Sequence, residues 1–222
     1  MTALYQENIA HLNEVDDFEY KRIEGKNQAI LTGLSDKGVE KVEDAYHVEI
    51  TLPEYDNTGK NEVVEIGSSF TSIHLENRRE FFRTISILDS WKNILTIGND
   101  AFSSCRILSI PNNWGKVITI GDRAFHYSNL QNLPDTWGEV RHIGDSAFEK
   151  CKIKKLPDDF GEVRTLGSRS FISTLIEALP EDFGKIYYVG SDAFCLCENL
   201  KKVPDGIMFV KNVEDGIFSS SG

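Results

Sequence analysis

Four cysteines and five histidines are the residues of this 222-residue chain with the widest chemical reach. Thiolates and imidazoles hold metals, and a hydroxyl or thiol beside an imidazole makes a nucleophile. Their spacing argues against both uses. Cys195 and Cys197 stand as C-L-C, without the paired spacing of zinc sites, and no histidine follows at a ligand-like interval. His126 aligns with Ser103 and Glu149, and His142 with Thr119 and Thr165, so the imidazoles share no common surroundings. No Ser/His/Asp or Cys/His signature, phosphate loop or paired-carboxylate motif is present. The expectation is a chain with no catalytic residue, cofactor or metal.

Those alignments arise because the chain repeats. Gly98, Gly121, Gly144, Gly167 and Gly190 each precede by four residues an aromatic, Phe102, Phe125, Phe148, Phe171 and Phe194. Pro111, Pro134, Pro157 and Pro180 keep the same step, as do Trp91, Trp114, Trp137, Phe160 and Phe183. A unit this short cannot bury its own apolar face and must stack on a neighbour, which makes a solenoid. Within the unit at 129–151, Leu130, Leu133, Trp137, Val140, Ile143, Ala147 and Phe148 are the expected inward columns. Their spacing follows neither a helical nor a strand period for long, as expected of a coil that turns corners between short extended pieces. Segments around L-Q-N-L and V-R-H-I are expected to pair with their equivalents one coil away. Pro134 ends the first of them, and Gly138 and Gly144 mark turns through positive φ or close packing.

The pattern L..LP...G.V..IG..AF..C resembles the BspA-like (Treponema-type) leucine-rich repeat, a bacterial and protist variant, strongly over residues 91–218 and weakly over 18–90. Two departures are an aromatic and a glycine after the proline, and one residue fewer between Cys and Leu in most units. The fold expected is a leucine-rich repeat solenoid, mainly β with short helical or 3-10 turns. It has about five regular 23-residue repeats and a β-rich N-terminal cap. Three segments are expected: an N-terminal helix or disordered arm (1–17), the cap and a divergent first repeat (18–90), and regular repeats with an irregular last coil (91–222). In the cap, Glu24-Gly25-Lys26 marks a hairpin, and L-E-N-R-R-E-F-F-R-T-I (75–85) is expected to form one or two helical turns. In the last coil Met208 replaces the usual glycine and Phe209 the usual charge, so it either covers its own open end or offers it to another chain, by self-association.

Cys105, Cys151 and Cys197 share a column with Ser128 and Thr174, a position for small buried side chains. Two coils separate neighbouring cysteines, about 10 Å at strand spacing, beyond the roughly 7 Å a disulfide spans. Free thiols are expected. The Trp/Phe column is read as core in preference to a ligand-stacking strip.

The net charge is −11, concentrated in residues 1–90, which hold 9 Lys and Arg against 18 Asp and Glu. This repels nucleic acid and anionic membranes and favours a basic partner. After the prolines, Asp135, Asp158, Asp159, Glu181, Asp182 and Asp205 form either a row of ordinary turn residues or an anionic docking ridge. A second strip, Arg141, Arg164, Tyr187 and Lys211 with His142 and Tyr188 beside it, varies from coil to coil, as ordinary strand positions or as a protein hot spot. The resemblance implies interaction or adhesion. No export signal is legible and the cysteines are used as in a reducing compartment. The leading expectation is a non-enzymatic, cytoplasmic binder of a basic protein, of inhibitor or immunity type, without membrane insertion. The alternative is a cell-surface adhesin whose export signal lies outside this sequence, and a third reading is a hydrolase hidden near residues 40–90.

Overall fold

The computed structural model describes residues 9–43, 45–68, 70, 84–88 and 91–222. Strands β1 (Ile9–Leu12), β2 (Phe18–Arg22), β3 (Gln28–Leu34), β4 (His47–Ile50), β5 (Glu62–Ile66) and β6 (Thr84–Ile87), with helix α1 (Asp36–Val42), build the N-terminal part. The repeats add β7 (Thr96–Ile97), β8 (Arg106–Ser109), β9 (Thr119–Ile120), β10 (His142–Ile143), β11 (Thr165–Leu166), β12 (Tyr188–Val189) and β13 (Asn212–Val213). They form a nine-stranded sheet ordered β13-β12-β11-β10-β9-β7-β5-β3-β2 and a four-stranded sheet ordered β1-β4-β6-β8. All pairings are parallel except β2 with β3, the hairpin whose turn holds Gly25 at φ +73°. The chain is thus a parallel leucine-rich repeat array, mostly β.

Residues 9–12 form a strand in place of the expected helix or disordered arm. Ala10 and Leu12 point inward from β1, which pairs with β4, and a 3-10 helix spans Val15–Asp17. Alternating burial of Ile9, Ala10, His11 and Leu12 is a strand signal. The segment 75–85 lies mostly outside the described residues, and its last two residues belong to β6. Pairing of the L-Q-N-L segments is also less than expected. That ladder ends at β8, and beyond it isolated bonds remain, such as Lys152 N–H to Leu130 O at 2.8 Å.

The core is a set of like-on-like columns. Phe102, Phe125, Phe148, Phe171 and Phe194 are fully buried, with successive centroids 5.1–5.4 Å apart and planes within 15°. Phe218 continues the stack at one end, and Phe70 meets Phe102 edge-on at the other. Trp91, Trp114, Trp137, Phe160 and Phe183 form a second buried column, so core is the right reading. The indole N–H groups of the three tryptophans find no acceptor among the described residues. A buried unsatisfied donor costs about 1–3 kcal/mol, which offsets part of what the larger ring contributes. Because Phe160 and Phe183 fill the same column, Trp137→Phe is expected to change stability by less than about 1 kcal/mol in urea unfolding.

The two glycine columns do different work. Gly138 sits at φ +55°, turning the chain after Trp137, and an added Cβ there would meet nothing nearer than 3.8 Å. Gly144 has ordinary φ, but a Cβ would lie 2.6 Å from Asp122 N and Gly121 C in the preceding coil. A third wall uses left-handed backbone without glycine. Ser146 and Lys150 have φ +53° and +56°, and the N–H groups of Ser146, Phe148 and Lys150 donate to the carbonyls of Ser168, Ser170 and Ile172 in the next coil. Every regular coil repeats this forward hand-off.

Candidate surface for partner docking

The nine-stranded sheet sets Thr119, His142, Thr165, Tyr188 and Asn212 in register on neighbouring strands. Inward neighbours Ile120, Ile143, Leu166 and Val189 are buried, so the alternation of a strand sends the row outward. His142 Nδ1 lies 3.0 Å from Thr165 Oγ1. Arg141, Arg164, Tyr187 and Lys211 stand exposed one position earlier. The strip read from the sequence is therefore one surface.

Beside it runs a row the sequence reading missed. Asn99 Oδ1, Asp122 Oδ1 and Asp145 Oδ1 accept the backbone N–H of Asp122, Asp145 and Ser168 at 2.9, 2.9 and 2.7 Å. Side-chain acceptors at one-coil intervals thus continue the backbone ladder past the sheet. Their signal was the residue after each repeat glycine, Asn99, Asp122, Asp145, Ser168 and Ser191, all short and oxygen-bearing. Between the two rows lies an open furrow floored by Gly121, Gly144 and Gly167. Tyr188 reaches across, its hydroxyl donating to Glu214 Oε1 at 2.8 Å. That bond and the Glu214 charge raise the phenol's pKa, while Ser191 and Tyr188 hold the Glu214 carboxyl below its ordinary value.

The six carboxylates after the prolines are all exposed, as expected, but they do not form a bare anionic edge. Lys155 Nζ lies 3.0 Å from Asp158, and Lys202 Nζ lies 3.0 Å from Glu181. Asp182 Oδ1 accepts Gly184 N–H at 2.7 Å, a local turn bond. Asp135, Asp159 and Asp205 carry no ion pair among the described residues. The ridge is of mixed sign, which removes much of the like-charge repulsion between coils.

Among the described residues, few chemistry-bearing side chains come together. Ser103, His126 and Glu149 do line up on successive coils, with Ser103 Oγ 3.4 Å from His126 Nδ1 and Glu149 Oε1 3.8 Å from Nε2. Burial lowers the imidazole pKa. An acyl-transfer site would also need free N–H groups to hold an oxyanion. The N–H groups of Phe102, Ser103 and Ser104 are already bonded to Ala124, Asp100 and His126 carbonyls. Within 40–90, Asp56 is buried but saturated, accepting from Arg22, Thr58 and Asn61. These bonds hold its carboxyl far below the carboxylate range despite burial, which marks a loop anchor.

The cysteine column alternates with hydroxyls. Cys151 Sγ lies 3.3 Å from Ser128 Oγ and donates to Phe125 O at 3.0 Å, and Cys197 repeats this with Thr174 and Phe171. None of the four cysteines is joined in a disulfide. Burial pushes the Cys151 thiol up to about 12 from 9.0. Above pH 9.0 the unfolded chain releases this proton first, so stability present below that pH is lost as pH rises towards about 12. Cys151→Ser, which places at 151 the residue type found at 128, is expected to flatten the alkaline decline in melting temperature. A thiol reagent at about pH 8 should modify half-exposed Cys195 first and the three buried thiols only on unfolding.

Among the described residues no His/Cys/Asp/Glu group is arranged to hold a metal, and no helix is long and apolar enough to cross a membrane. The profile of the BspA type leucine rich repeat region matches residues 49–177 in six copies, more than half of the chain. Among solved structures, a leucine rich cell surface protein from Faecalibacterium prausnitzii A2-165 is similar, at 18% identity and TM-score 0.56, over 84% of this chain and 52% of its own. A leucine-rich repeat protein from Bacteroides ovatus ATCC 8483 aligns at 23% identity and TM-score 0.50, over 95% of this chain and 45% of its own. The chain thus spans about half the length of these neighbours, and identities this low show the fold alone. No curated protein matches the sequence.

Proposed function

Since this chain belongs to the BspA type leucine-rich repeat family, we propose that it is a non-enzymatic scaffold that binds another protein along its outward rows. The observation that carries this reading is the registered strip from Thr119 to Asn212, flanked by exposed Arg141, Arg164, Tyr187 and Lys211. Side chains fixed at strand spacing on a rigid body are pre-organised, so binding costs little ordering entropy. Tyrosine and arginine are the residue types that dominate interface energies. The partner is proposed to carry a basic face, supported by the net charge of −11 and by exposed Asp135, Asp159 and Asp205, which have no ion pair among the described residues. An intracellular setting, with an inhibitor or immunity role, fits the free thiols.

The test is retention of an identified basic protein on the immobilised chain. Affinity should fall steeply with salt and should drop at least tenfold on reversal of Asp158, Asp159 and Asp182 to lysine. Binding indifferent to salt and to these reversals would dismiss the basic partner. Loss on Tyr187→Ala and Tyr188→Ala alone would keep the strip without the ridge. The second reading is a surface adhesin, drawing on the description of the Faecalibacterium protein as a cell surface protein. An export signal upstream in the complete reading frame would decide for it.

A further inference from the structure

The wall that carries the four-stranded sheet comes apart in the middle of the array. There β8 pairs with β6, but the equivalent segment of the next coil, residues 131–134, pairs with neither neighbour. The N–H groups of Gln131, Asn132 and Leu133 and the carbonyls of residues 131–134 have no hydrogen-bond partner among the described residues. Pro134 and Pro157 supply no N–H to carry the ladder on. A cleft opens on each side of the segment, about 230 Å³ against residues 108–112 and about 680 Å³ against residues 152–158.

The larger cleft has an apolar base and a local charge opposite to that of the chain. Pro134, Leu156 and Pro157 are buried along it and Leu133 is half-buried. Lys152 and Lys154 stand exposed on either side of buried Ile153, without an ion pair among the described residues, whereas Lys155 is held by Asp158 at 3.0 Å. Residues two apart in an extended chain lie about 6.6 Å apart on one face. Two unpaired ammonium groups thus flank a strip of unpaired backbone, in a chain whose net charge is −11.

We propose that this cleft binds an extended segment of a partner protein carrying two carboxylates two residues apart. The carboxylates meet Lys152 and Lys154 in register, because an extended peptide has the same two-residue repeat. Its backbone takes up the N–H and C=O groups of residues 131–133, as when a strand is added to a sheet. The residue between the carboxylates points the other way, onto Leu133 and Leu156. Asp135 and Asp158 line the far end of the cleft, so acidic residues are admitted at the Lys152 and Lys154 end alone. A simple anion uses the lysines and leaves the backbone and the apolar base unused. A nucleic acid runs on into the field of the acidic chain, while a short segment feels chiefly charges within a screening length of about 8 Å. The cleft lies on a different wall from the strip of Thr119 to Asn212 and selects the opposite charge, so it adds a second partner chemistry to the binding proposed above.

The experiment is titration of the nitrogen-15-labelled 222-residue chain with a blocked peptide of alternating valine and glutamate. Saturable shifts are expected in the amide signals of residues 131–133 and 152–156. The dissociation constant should rise at least tenfold in the double variant Lys152→Glu, Lys154→Glu, and likewise when glutamine replaces glutamate in the peptide. Neither lysine has an ion pair to lose, so melting of the double variant should match that of the parent. Lys116→Glu and Tyr187→Ala, both away from the cleft, should bind the peptide as the parent does, and the second separates this site from the strip. No saturable shift, equal binding of the glutamine peptide, or an unchanged affinity in the double variant overturns the proposal. Inorganic phosphate that gives the same shifts at the same concentration also overturns it, since the site then reads an anion and not a peptide.

Discussion

Gly144→Ala is expected to destabilise the chain by about 3 kcal/mol or more, and Gly138→Ala by only about 1 kcal/mol. The two differ in sign of φ and in surroundings. A methyl at 144 would be driven into the backbone of Gly121 and Asp122, 2.6 Å away, and that backbone cannot yield without releasing other bonds. Gly144 N–H donates to Ile120 O at 2.8 Å, and Asp145 N–H to Asp122 Oδ1 at 2.9 Å, so separating the coils breaks both ladders. At 138 the space is open and the cost is the left-handed backbone alone. Urea unfolding of the two variants checks this. Equal losses would mean that turn conformation, and not coil-to-coil approach, sets the glycine requirement.

Phe148→Ala should cost about 3–5 kcal/mol, the range for deleting a buried phenyl ring. The ring lies 5.4 Å from Phe125 and 5.1 Å from Phe171 in near-parallel stacks and is tilted by 59° against Trp137 at 6.2 Å. A deletion there removes contacts on both sides and weakens the coupling between the halves of the array. In a solenoid held by nearest-neighbour contacts, that should also broaden the unfolding transition. Phe218→Ala, at the end of the stack with one ring neighbour at 5.8 Å, should cost about 1 kcal/mol and leave the transition sharp. A sharp transition in Phe148→Ala would show that the coils fold as one block regardless of the stack.

The repeat, its inward columns and the place of each glycine were legible because a period of 23 writes every core contact several times over. Phe148 is read as core from its equivalents, even though no local propensity marks it. The dual use of glycine was legible only as an alternative. Nothing local separates Gly138 from Gly144 until the neighbouring coil is in place. The left-handed residues were not legible at all. Ser146, Lys150, Arg169 and Leu196 have no composition in common, and their positive φ is imposed by bonds to the next coil. Strand β1 was missed because four residues are too few to outweigh the polar surroundings of Ile9–Leu12, and its partner β4 is remote in sequence. For the candidate surface, the strip from Thr119 to Asn212 followed from alignment, whereas the acceptor row of Asn99, Asp122 and Asp145 required knowing where the N–H groups of the next coil point. The pairing of two ridge carboxylates was not legible because Lys155 and Lys202 sit before the prolines, outside the column being read.

The wall of turns hands its N–H groups forward in every regular coil, and that gives this wall a direction. Peptide dipoles lined up along an axis leave partial positive charge at the end where donors run out. Here the N–H groups of Gly216, Phe218 and Ser220 have no acceptor among the described residues. In the strands of the sheet the bonds run the other way, Arg141 and Gly144 N–H donating back to Ile118 and Ile120 O, so the two walls of each coil carry opposed peptide dipoles that offset each other.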